Sequence, residues 1–156
     1  MKKIALLLVS IVLTAVTSVT VAQIKLTSFN NELHQTLSNQ IATAKTQAFT
    51  IATDTSKTSA EKIKNANDLI KNLKATKISH QAIKKNIPEN KKAATQKINA
   101  AIEKHNTVAT KYATSLKEEL QKPTPDNTKI QTYSQNISNE LDNIEKDHQA
   151  LKAAYK

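Results

Sequence analysis

"KKNIPENKKAA", residues 84–94, separates two long segments whose apolar residues recur at helical spacing. Two folds hang on its reading. If Pro88 only kinks a continuous helix, the chain makes a long two-helix coiled coil; if the helix ends here, a new one starts at once. The local chemistry favours a stop and a restart. Asn86 is a residue type that caps helix N-termini, Pro88 loses no hydrogen bond in a first turn, and Glu89 suits the positive end of a helix dipole.

The same punctuation recurs on either side. In "DTSKTSAEKI", residues 54–63, Thr58 and Glu61 have the spacing of a capping box. In "QKPTPDNTKI", residues 121–130, Thr124 is placed to cap, Pro125 to take the first helical position and Asp126 to face the positive end. Helices are therefore predicted over 26–54, 59–86, 88–121 and 125–155. The first carries Leu33, Leu37, Ile41, Ala44, Ala48 and Ile51 on one face, and the second Ile63, Ala66, Ile70, Leu73, Ile83 and Ile87. The third carries Ile98, Ile102, Val108, Tyr112, Leu116 and Leu120; the fourth carries Ile130, Tyr133, Ile137, Leu141, Ile144, Leu151 and Tyr155. Such helices are about 45 Å long, and short turns force neighbours to fold back on each other. No stretch alternates with period two. The expected fold is all-α: one up-down-up-down antiparallel four-helix bundle over residues 23–156.

Ahead of it, "MKKIALLLVSIVLTAVTSVTVAQ", residues 1–23, has a lysine pair, an apolar run and the small-residue ending Thr20-Val21-Ala22. This is the layout of a signal peptide over 1–22, so the chain is expected to be exported, periplasmic or extracellular. An uncleaved anchor is the alternative, since Ile4 to Ala22 carries no charge.

The chain has 23 basic residues, all lysine, against 13 acidic ones, and contains no cysteine, glycine or tryptophan. Loss of Lys2 and Lys3 would take the net charge from +10 to +8. Without cysteine there are no disulfides and no thiolate chemistry; without glycine there is no phosphate-cradling loop. Without arginine, the surface attracts anions but has little means of reading bases, so sequence-specific nucleic acid is not an expected partner. Charge is uneven: residues 57–87 carry +6 and 88–122 carry +3, whereas 23–56 are neutral and 123–156 carry −1. Lys64, Lys71 and Lys85 recur at multiples of seven on the second helix, as do Lys97, Lys104 and Lys111 on the third. These six form the expected anion-binding surface, for an envelope polymer, a lipid headgroup or an acidic protein. A solvated face that keeps a bundle soluble accounts for the same pattern.

No serine sits in a glycine-flanked elbow, and the paired carboxylates lie on helix surfaces with no cleft implied. A non-enzymatic protein is expected. The histidines raise a second possibility. In "NIEKDHQAL", residues 143–151, His148 takes a place on the apolar face beside Ile144 and Leu151. Counting residues from each turn puts His34, His80 and His148 at one level, with Glu145 one turn away and His105 lower. Such a layer suits zinc or copper, and His34 with His148 alone would suit haem. Bundle histidines bonded to amides or water would produce the same spacing. Glu145-x-x-His148 occurs once, so the paired motif of carboxylate di-iron bundles is missing. The architecture resembles exported b-type four-helix cytochromes, but their histidine-methionine ligation is closed to a mature chain without methionine.

Overall fold

The structure, a computed structural model, describes residues 30–155. It contains four helices and, among the described residues, no strand: α1 over 30–53, α2 Ser59–Lys85, α3 Glu89–Leu120 and α4 Asn127–Tyr155. The predicted signal peptide, 1–22, and residues 23–29 lie outside the described residues. None of the described helices is long and apolar enough to cross a membrane.

The helix does stop at Pro88, by a different device from the one expected. Asn86 closes α2 rather than opening α3: its backbone N–H reaches the Ile83 and Lys84 carbonyls, and its side-chain amide donates to the Ala82 carbonyl at 2.8 Å. Pro88 is left as the N-cap of α3, with no side-chain cap bond. The Thr58–Glu61 capping box is present in full at the start of α2. At the start of α4, Asp126 and not Thr124 is the cap. Its carboxylate accepts from the Thr128 and Lys129 N–H groups at 2.9 and 3.2 Å, the stronger acceptor winning over the hydroxyl. Glu119, buried at the end of α3, braces the same turn. It accepts from Lys122 Nζ at 2.6 Å and from the Asp126 N–H at 3.0 Å, and the Lys122 bond is the main reason its carboxyl is held below the usual range.

The core follows one rule in every helix, with Ser79 and Glu119 buried beside the line. Buried positions step by three and four: 34, 37, 41, 44, 48 and 51 on α1, and 66, 69, 73, 76, 80, 83 and 87 along α2 and its end. The steps continue through 95, 99, 102, 106, 109, 113, 116 and 120 on α3, and 130, 134, 137, 141, 144, 148 and 151 on α4. This is the spacing of interlocking helices in a bundle. It also corrects seven core assignments: Leu33, Ile63, Ile98 and Tyr133 are half-buried beside the core, and three more shift by one position. Leu69, Ala109 and Ala113 fill the centre, while Ile70 and Tyr112 pack at its edge and Val108 is half-buried. Polar residues hold several central positions, among them Thr76, Asn99, Asn106 and Ser134, which hides the three-four step from a search for aliphatic residues.

Contacts between helices run through all four. Helix α3 packs on both α2 and α4. Asn106 donates to the Leu73 carbonyl at 3.1 Å, Lys84 meets Glu103 at 2.7 Å, and Tyr112 lies 6.4 Å from Tyr133 between ring centroids. Asn72 donates to the Gln40 carbonyl at 3.0 Å, tying α2 to α1. Lys45 of α1 reaches Asp142 and Glu145 of α4.

Candidate functional site

Residues seven apart on a helix project along nearly one line, because two turns take slightly more than seven residues. Lys64, Lys71 and Lys85 on α2 and Lys97, Lys104 and Lys111 on α3 obey this spacing, and all six are exposed. They stand opposite the three-four core positions of their helices, so both stripes point outward. Of the six, only Lys71 has an ion-pair partner, Asp68 at 3.3 Å; the other five meet no acid among the described residues. Nearby lysines behave differently: Lys84 is taken by Glu103 and Lys92 by Glu89. Ile78 occupies the missing step between Lys71 and Lys85 and is 66% exposed, an apolar contact set within the α2 stripe.

The histidines sit inside the bundle. His148 is fully enclosed, His80 nearly so, and His34 is 8% exposed. His34 Nδ1 and His148 Nε2 stand 2.6 Å apart, with the rings stacked at 4.8 Å between centroids. At this distance one nitrogen donates and the other accepts. A proton on His148 Nε2 is the economical tautomer, because it leaves Nδ1, which has no partner, as a bare acceptor rather than a buried orphan donor. Burial first, then the nearby charges of His34, Lys152 and His80, push His148 down to about 3. Burial likewise lowers His34 and His80. All three are neutral at neutral pH. The Asn99 backbone lies beside the His80 ring and works weakly the other way, but neither His80 nitrogen gains a bond of good geometry. The Asn99 side-chain oxygen is also unpaired.

The structure therefore brings His34 and His148 into contact, with His80 close enough for its charge to be felt by both. It does not bring in Glu145. That carboxylate is exposed and meets Lys45 Nζ at 2.5 Å on the α1–α4 surface, because the buried line steps by four from Ile144 to His148 and leaves position 145 on the outer side. His105 lies apart, half-buried, with Nδ1 at 2.6 Å from Glu140 and Nε2 at 3.8 Å from Asp147. Among the described residues no three His, Cys, Asp or Glu side chains are grouped to hold a metal. Two nitrogens on one zinc stand roughly 3.3 Å apart, given bonds of about 2.0 Å. The His34–His148 spacing is instead that of a shared proton.

Asn99 and Ser134, buried with unpaired oxygens, were not singled out by sequence. The signal was present: Asn99 is three before Ile102, and Ser134 three before Ile137. Comparison with models of known protein families, with characterised proteins and with solved structures returned no match.

Proposed function

We propose that this chain is an exported, non-catalytic bundle protein that binds anionic surfaces or polymers through the outer faces of α2 and α3. One observation carries the reading: five of six regularly spaced lysines stand exposed without an acid partner. An unpaired lysine keeps its whole field for a ligand, whereas a paired one must first break a local contact. The anion is an envelope polymer, a lipid headgroup layer or an acidic protein, all of which present closely spaced negative groups. The helices are taken to run up-down-up-down. The pairs 73 with 106, 105 with 140 and 34 with 148 support alternating directions.

The test is salt. Binding of the protein to polyphosphate, and to phosphatidylglycerol vesicles, should fall by orders of magnitude between about 50 and about 200 mM salt. Changing Lys64, Lys71, Lys97 and Lys104 together to Gln should flatten that slope while leaving the helical spectrum and melting temperature unchanged. Equal low-salt affinity of the variant for both probes would sink the proposal.

A second reading rests on the unpaired nitrogens of His80 and His148, which are lone pairs or protons in search of a partner. Zinc or copper would supply one, provided the His34–His148 hydrogen bond opened first. Haem would require those two nitrogens to move onto opposite faces of a macrocycle.

A further inference from the structure

We propose that the groove between α1 and α4 is a binding site for a neutral oligosaccharide. The groove is open to solvent along one side and has a volume of about 540 Å³, within the range of small-ligand sites. Phe49 and Thr53 of α1 and Gln131, Ser134, Asn136 and Ser138 of α4 supply its chemistry. No charged side chain lines it, although 23% of the chain is charged. That absence decides against the anions drawn to α2 and α3, and the proposal stands independently of that surface.

Two observations point to a ligand. Ser134, only 4% exposed and at a core position, is among the residues lining the groove, and its buried hydroxyl has no hydrogen-bond partner. Phe49, 68% exposed, presents a bare aromatic side chain at the same groove. Gln131, Asn136 and Ser138 add amides and a hydroxyl that make no bond within the described residues. Each of these groups both donates and accepts, as sugar hydroxyls do, and a flat aromatic ring matches the apolar face of a pyranose. A peptide fits less well. An extended one needs a free strand edge, and helices have none; a helical one needs a row of apolar pockets, and Phe49 is the one large apolar residue here.

The experiment is an amide NMR titration of the protein with chitotriose, maltotriose and cellotriose in turn. At least one should move the signals of residues 49–53 and 131–138 and leave the lysine stripes in place. Phe49→Ala should weaken that binding about tenfold, and, because the ring is exposed, without loss of helicity. Gln131→Ala, also at an exposed position, should weaken it less. If no trisaccharide moves these signals at millimolar concentration, or if the shifts survive Phe49→Ala undiminished, the groove is not a sugar site.

Discussion

The α2–α3 and α1–α4 halves of the bundle solve the same packing problem and present opposite surfaces. Both bury residues at three-four steps. Residues 57–122, which hold α2 and α3, carry +9, while 23–56 and 123–156, which hold α1 and α4, together carry −1. Lysine alone does not make the difference; its company does. Lys45, the one lysine among the described residues of α1, is held between Asp142 and Glu145, whereas Lys85, Lys97, Lys104 and Lys111 form no ion pair among the described residues. In Lys45 burial works against the charge, and the two carboxylate hydrogen bonds outweigh it and raise its pKa. A core constrained by packing thus leaves the outer faces free to carry a message, and the two halves carry different ones.

Acid breaks the comparison most strongly, because it charges the α1–α4 side from within. His148 and His34 are neutral when folded and regain an ordinary pKa of 6.5 when unfolded, so the unfolded chain binds more protons as pH falls. Stability is therefore full above about pH 6.5 and lost progressively toward about pH 3. Denaturant titration should show a loss of about 2 kcal/mol between about pH 7 and about pH 5, a window in which most carboxylates remain ionised. His148→Leu should reduce that slope, the remainder being carried by His34 and by His80 of α2, which burial also lowers. A parent protein whose stability is flat over this range would mean the two rings are not a buried neutral pair.

A smaller effect sharpens the contrast between paired and free lysines. Lys45→Gln should cost about 0.5 kcal/mol of stability, since its partners are largely solvated, and should leave polyphosphate affinity unchanged. Lys104→Gln should do the reverse, lowering affinity a few-fold at low salt with no change in melting. Matching losses of affinity in both variants would erase the distinction between the two halves.

The sequence disclosed the four helices because turn residues and apolar periodicity agreed in each segment. It disclosed less where two residues compete for one role. Asp126 outbid Thr124 as a cap because a carboxylate accepts more strongly, and Asn86 turned back to close its own helix. On α3 the eye follows Val108 and Tyr112, but the buried line runs through Asn99, Asn106, Ala109 and Ala113. The strict three-four step, not hydrophobicity, marks that line. Counting from the turns put His34, His80 and His148 at one level without indicating that His34 and His148 touch across 114 residues, and it could not place Glu145, whose side is set by rotation about the helix rather than by height. Phe49 and Ser134 line one groove from α1 and α4, a juxtaposition with no local trace in the chain.

Anion binding by the lysine stripes is tested most simply by adding polyphosphate to isotope-labelled protein at low salt and recording which amide signals move. The largest changes should fall on α2 and α3, at and beside Lys64, Lys71, Lys85, Lys97, Lys104 and Lys111, and fade as salt is raised. Changes concentrated on α1 and α4, or spread evenly over all four helices, would contradict binding by the stripes.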